Sequence, residues 1–306
     1  MPSARQGSIR LFRFSGIDVF LHWSWFLLAA YEIQVRKGDY SSVTWNFLEF
    51  LALFLIVLLH EFGHALACRQ VGGRADRIVL WPLGGVAYVD PPQRPGATLW
   101  SIAAGPLVNV VLFPILTVAI MQARSLGWPA TSPDLYKLLF MSRRIDFWLL
   151  VFNILPIYPL DGGQILRSLL WFVLGRARSL MVATILGLVG VVGFIGLAFI
   201  SRDAWLGAIA VYMLLICWGG LQHARALLRL AKLPRRDGFA CPECNTAPPL
   251  GEFWKCGQCG QAFDTFQSHA VCPRCGAQFA QTKCLDCGRS HPMSEWMVSS
   301  ITPMHR

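Results

Sequence analysis

His60-Glu61-Phe62-Gly63-His64 closes an apolar run that extends from Phe50 to Leu59 without a charged residue. An ionisable side chain at membrane depth costs at least ~2.5–3.5 kcal/mol on insertion scales, so two histidines and a glutamate there demand a partner. On a helix, residues i and i+4 share a face, so both imidazoles can take one metal ion while Glu61 lies beside it as a general base. Zinc is the expected metal. Catalytic zinc takes three protein ligands and keeps a fourth position for water, so a third ligand is expected elsewhere in the chain.

The 306 residues are 55% hydrophobic and 14% charged, against roughly 25% charged in soluble domains, which marks a membrane protein. Residues 1–16 carry Arg5, Arg10 and Arg13 but neither a continuous apolar core nor a small-residue cleavage site, so no cleaved signal peptide is expected. A span needs about 20 mostly apolar residues. Six segments qualify: residues 17–35, 45–68, 99–121, 138–174 with a break in the middle, 180–200 and 204–221. The predicted fold is an all-α polytopic membrane protein of about six transmembrane helices, with a discontinuous fourth span, a re-entrant hairpin, and small β-type zinc ribbons at the C-terminus.

The break in the fourth span reads Asn153-Ile-Leu-Pro156-Ile-Tyr-Pro159-Leu160-Asp161-Gly162-Gly163, and its prolines and glycines interrupt the helical ladder. Unwound backbone at membrane depth is tolerated only where protein or a watery cavity covers it, so the break marks a site. Asp161 is the best third ligand, an acid inside that break, whereas Glu49 and Asp146 lie nearer span ends. Asp161 also suits an N-cap of the helix that follows, and both readings stand at this point. Between the second and third spans, residues 78–89 place β-branched and aromatic residues on either side of a Leu-Gly-Gly turn. That pattern fits a hairpin dipping into the membrane, with a surface loop as the alternative. Gly187, Gly190, Gly193 and Gly196 recur every three residues and predict close helix packing. His22 is expected at the membrane interface beside Trp23 and Trp25.

The pair His60-Glu-Phe-Gly-His64 and Asn153-x-x-Pro156-x-x-x-Leu160-Asp161-Gly162 resembles the site-2 protease family of intramembrane zinc metalloproteases. Gly105-Pro-Leu-Val-Asn109 and Trp81-Pro-Leu-Gly-Gly85 look like further features of it, and the resemblance covers roughly residues 8 to 230. It implies His60, His64 and Asp161 as zinc ligands and Glu61 as the residue that activates water. Asn153, whose amide can donate and with which the family motif begins, is the candidate oxyanion donor; capping the backbone freed by Pro156 is its other possible role. Asn109 stands between packing and touching the site. Only 96 residues separate His64 from Asp161, which leaves no room for an inserted peptide-binding domain such as some relatives carry. Nor does the tail look like the nucleotide-binding regulatory pair of others. Both departures bear on substrate choice rather than on the chemistry.

After residues 233–238 the composition turns polar, and eight of the ten cysteines follow residue 240. The expected organisation is an intramembrane metalloprotease domain over 1–232, a linker over 233–240, tandem zinc ribbons over 241–290 and a tail over 291–306. Cys241 and Cys244 are expected to pair with Cys256 and Cys259, and Cys272 and Cys275 with Cys284 and Cys287, across loops of 11 and 8 residues. Two structural zinc ions would join the single catalytic one, although a rubredoxin-type iron uses the same four thiolates. Reduced thiols place the tail in a reducing compartment. Cys68 and Cys217 stand alone as packing thiols. The net charge of +10 comes mostly from residues flanking spans, and Lys255, Arg274, Lys283 and Arg289 are too few to argue for nucleic acid, so the ribbons are expected to bind a protein partner. With both termini on one side, that side carries fourteen flanking Lys and Arg against seven, which makes it cytosolic.

These features predict a zinc-dependent intramembrane endopeptidase that cuts a membrane-spanning protein substrate within the lipid bilayer, using zinc-bound water activated by Glu61. The cut is expected near the cytosolic side, because His64 lies five residues before Arg69. A substrate helix must unwind to expose its carbonyls, and a strand edge at 78–89 could hold it by strand addition. Two other classes compete. A scaffold with a purely structural metal would not need Glu61, and a zinc transporter would not need the His-Glu-x-x-His order.

Overall fold

The computed structural model describes residues 7–81 and 84–297. Arg5, the Pro82-Leu83 centre of the expected hairpin loop and the end of the tail lie outside the described residues. The chain divides into two compact units, Met1–Leu221 and Gln222–Arg306.

The first unit opens with two antiparallel strands, β1 (Ser8–Phe14) and β2 (Ile17–His22). They are joined by Ser15 and Gly16 at φ 47° and 75°, the left-handed pair that a two-residue hairpin turn requires. This corrects the expected first span. Residues 17–22 are strand, and helix α1 (Ser24–Val35) has only 12 residues, about 18 Å at 1.5 Å per residue. An unbroken apolar run reads alike as buried strand or buried helix. Here a partner strand decides, because β2 pairs in parallel with β3 (Arg74–Trp81) after a crossover through α1 and α2 (Val43–Gln70).

Strand β3 then turns back into β4 (Gly84–Asp90), so the expected hairpin is present, with Trp81 opposite Gly84 and Ile78 opposite Ala87. The sheet order is β1-β2-β3-β4, which leaves β4 at an edge and corrects the all-α expectation. Ile17, Val19, Ala75, Ile78 and Leu80 form one buried cluster with Val57, Leu58, Ala65 and Cys68 of α2. Arg69, at the end of α2, donates to the carbonyls of Ser15, of Gly16 at 3.0 Å and of Ala75 at 2.6 Å, which fastens the sheet to that helix.

The chain continues through α3 (Pro95–Ser125), the short α4 (Trp128–Thr131) and α5 (Pro133–Ile154). Residues 155–160 are unwound, as the prolines predict, and α6 (Asp161–Ser201) starts at the aspartate. Helix α6 is two helices meeting at Gly175, whose φ of 75° and ψ of 170° suit only glycine, and α7 (Ala204–Ala231) follows. Among the described residues α2, α3, α6 and most of α7 are long and apolar enough to cross a membrane. α1 is too short for that, and α5 carries Asp134, Lys137, Arg143, Arg144 and Asp146. The glycine repeat has a divided role. A methyl group on Gly187 would come within 2.6 Å of the Tyr158 carbonyl and one on Gly190 within 2.6 Å of Ile157, so these two admit the unwound segment, while Gly193 and Gly196 face nothing within 4 Å.

The second unit holds two small hairpins, β5 (Trp254–Lys255) with β6 (Ala262–Phe263) and β7 (Thr282–Lys283) with β8 (Ser290–His291). Its core is made of cysteines with Trp254, Phe263, Phe266 and Trp296. Phe266 packs edge-on against Trp254, Trp296 and Phe239.

Candidate metal centres

His60 and His64 stand one helical turn apart on α2, and Asp161 begins α6, so the unwound segment delivers the acid to the imidazoles. His60 Nε2 lies 3.0 Å from Asp161 Oδ2 and 3.1 Å from His64 Nε2, and His64 Nε2 lies 3.2 Å from the same carboxylate oxygen. Each other ring nitrogen faces an oxygen: His64 Nδ1 is 2.9 Å from the Ser101 carbonyl and His60 Nδ1 is 2.6 Å from Asn109 Oδ1. A carbonyl oxygen only accepts, so both Nδ1 atoms carry the proton, and in the neutral rings both Nε2 atoms are left to present lone pairs. Two lone pairs and a carboxylate oxygen therefore converge in a buried spot. That arrangement suits a cation. Tetrahedral zinc with bonds of 2.0–2.1 Å sets its ligands about 3.3 Å apart, close to the spacing seen here.

Glycines make this packing possible. A Cβ at Gly105 would collide with the His64 ring, and one at Gly63 would come within 2.7 Å of the Ala104 carbonyl, so α2 and α3 meet at close range. Glu61 is buried, and its Oε2 accepts a hydrogen bond of 2.7 Å from the Ala87 backbone N–H of β4. A Cβ at Gly85 would strike the Glu61 carboxylate, so the base sits directly beneath the strand edge. Asn153 is half-buried in the last turn of α5, and its amide takes no hydrogen bond among the described residues. Asn109 touches the site through His60 and donates to Asp146 Oδ1 at 2.7 Å. Sequence reasoning placed Asp146 only as a poorer ligand, and Ser101, which acts through its carbonyl, leaves no mark in a sequence.

The eight tail cysteines form two clusters, but not the consecutive pairing expected. Cys241, Cys244, Cys284 and Cys287 make one, and Cys256, Cys259, Cys272 and Cys275 make the other, so the second is nested inside the first. Cys-x-x-Cys spacing defines turns and does not say which turns face each other; the shared aromatic core decides that. The sulfur separations are 3.6 Å for Cys241–Cys287, 3.8 Å for Cys244–Cys284, 3.6 Å for Cys256–Cys275 and 3.7 Å for Cys259–Cys272. Tetrahedral zinc with 2.3 Å bonds to sulfur calls for about 3.8 Å.

Each turn is built alike. The residue after its second cysteine, Asn245, Gly260, Gly276 or Gly288, has φ between 54° and 80° and returns its N–H to the carbonyl of the first cysteine at 2.8–3.0 Å. Asparagine and glycine are the residues that tolerate this conformation. The Cys244 thiol is drawn down to about 5, chiefly by its hydrogen bond with Cys284, and Cys256 to about 6, chiefly by the backbone N–H of Cys259. Such thiols readily become the thiolates a metal binds.

Two histidines on a membrane helix, an aspartate from a broken one and a glutamate beneath a strand edge make a candidate metal site, of the kind expected in a membrane-embedded zinc peptidase. The chain matches peptidase family M50 over residues 48–126 and 118–197. It is 33% identical over 180 residues to a zinc metalloprotease of Methanocaldococcus jannaschii, covering 59% of this chain and 50% of that one. To a candidate zinc metalloprotease of Synechocystis it is 28% identical over 242 residues, covering 74% and 61%. Among solved structures, the site-2 protease from Methanocaldococcus jannaschii matches with a TM-score of 0.51 and 26% identity, over 70% of this chain and 95% of that one. The membrane unit belongs to peptidase family M50, the site-2 proteases. The chain spans half to about three-fifths of the length of these two curated relatives.

Proposed function

We propose that this protein is a zinc-dependent intramembrane endopeptidase that hydrolyses a peptide bond in or near a transmembrane segment of a protein substrate. The observation that carries this reading is the convergence of three possible metal-ligand atoms, from His60, His64 and Asp161, beside a buried glutamate at the edge of a sheet. Zinc held there would supply Lewis acidity to the scissile carbonyl and a water more easily deprotonated. Glu61 would take a proton from the attacking water and return it to the leaving amine. His60, His64 and Asp161 would hold the ion, and Asn153 is the candidate donor to the developing oxyanion.

The substrate lies extended along β4. Because Ala87 N–H points at Glu61, away from β3, the alternate backbone groups of β4 face outward and can pair with an added strand. In this reading residues 1–232 are the protease, 241–290 bind two further zinc ions as a structural module, and the module recruits a protein partner or the substrate. The tail and both termini face the cytosol, supported by the fourteen-to-seven excess of flanking basic residues.

Glu61→Gln keeps the shape of the side chain and loses the base. Purified protein in detergent is offered membrane-spanning peptides with and without chelator. Cleavage by the wild type should depend on metal, and the variant should lose about 10²–10⁴-fold in turnover while keeping its zinc. Normal turnover by the variant would remove Glu61 from the mechanism. Metal-independent turnover, or none at all, would return the protein to the scaffold and transporter readings.

A further inference from the structure

A buried chain of hydrogen bonds links Asp146 on α5, Asn109 on α3 and His60 on α2. Asn109 and Asp146 are fully buried, and the second carboxylate oxygen of Asp146 has no hydrogen-bond partner among the described residues. Burying a carboxylate this way is costly, and an asparagine would fill the same space without the charge. The acid therefore needs a reason beyond packing.

The reason lies in the two-faced chemistry of the amide. A carboxamide has a donor side and an acceptor side and can present either to His60. If the NH₂ faced His60, Nδ1 would have to accept, and the ring proton would sit on Nε2, the atom aimed at Asp161 and His64. Asp146 Oδ1 takes the Asn109 NH₂ at 2.7 Å, which turns Asn109 Oδ1 to His60. His60 Nδ1 must then donate, and its Nε2 lone pair is left free. We propose that Asp146 is a positioning residue: acting through Asn109, it fixes the tautomer of His60 in which Nε2 binds the metal. His64 needs no such device, because the Ser101 carbonyl facing it has only one sense.

This inference rests on the metal-site reading above, and its test keeps the two apart. The full-length chain in detergent is stripped of metal and titrated with Co²⁺ against a competing chelator. The His60→Ala chain, with its ribbons intact, is the blank for metal bound elsewhere. If wild type and His60→Ala bind alike, the metal-site reading fails. Given a difference, Asp146→Asn should weaken the membrane site by about 10–100-fold, the usual effect of losing a partner behind a metal ligand, and alter its difference d–d spectrum.

The reciprocal double variant Asn109→Asp with Asp146→Asn puts the obligate acceptor directly against His60 and should restore affinity to within a few-fold of wild type. A packing role for Asp146 predicts no such rescue. Unchanged Co²⁺ affinity in Asp146→Asn, or a double variant no better than the single one, would overturn the proposal.

Discussion

His60 and Asp161 stand 101 residues apart and meet because helices pack, whereas the most widely separated cysteines that touch, Cys241 and Cys287, are 46 apart, and each turn is closed by its own local hydrogen bonds. The membrane site is thus shaped by helix packing, its imidazoles aimed by Ser101, Asn109 and Asp146. The ribbon unit has cysteines where a larger domain has aliphatic side chains, and among the described residues its strands have two residues each. On this contrast, metal at the first would complete a site and metal at the second would complete a fold.

The sharpest way to break this contrast is to remove all metal. Structural zinc in such small modules is worth about 10–16 kcal/mol of apparent binding energy at neutral pH, so chelation should unfold the ribbons outright. Limited proteolysis of the full chain should then cut within residues 241–290 while residues 43–231 stay protected. Equal resistance of both regions would show that the ribbons fold without metal.

Removing cysteines one from each expected ribbon sharpens the same comparison. Cys241→Ser combined with Cys284→Ser touches a single cluster in the nested arrangement and should release one zinc per chain; consecutive pairing would release two. Elemental analysis against protein concentration reads the difference directly. The smallest effect is a single methyl group at the membrane site. Gly105→Ala drives a Cβ into the His64 ring, at an overpacking cost of about 1–3 kcal/mol, and should reduce zinc at that site while both ribbon ions remain. Retention of three zinc ions per chain with unchanged affinity would contradict the close packing of α3 on His64.

The parts of this protein legible in its sequence are those where one residue type has one chemical use. His-Glu-x-x-His in an apolar run, an acid after two prolines, and four Cys-x-x-Cys turns each signal their local structure. The sheet was only half legible. The Leu-Gly-Gly turn announced β3 and β4, yet β2 was hidden because Ile17–His22 continues into the apolar α1 and nothing in the run separates strand from helix. The signal was the Ser15-Gly16 pair before it, a hairpin turn that outweighs hydropathy. Ribbon pairing and the Asp146 relay were illegible for another reason: each depends on which turns or helices face each other, and spacing along the chain carries no such information.

Arg69 ties the Ser15-Gly16 turn and β3 to the helix that carries His60 and His64, and Glu61 of that helix is bonded to β4, so sheet and metal ligands share one frame. A strand laid along β4 would therefore be measured against Glu61 and the two histidines as against a ruler, graduated at about 3.4 Å per residue. Sliding by one residue carries the scissile carbonyl a full graduation away and also turns every side chain to the opposite face. On the proposed function, where such a chain is cut would then be a matter of counting from its docked end, largely indifferent to which residues flank the bond.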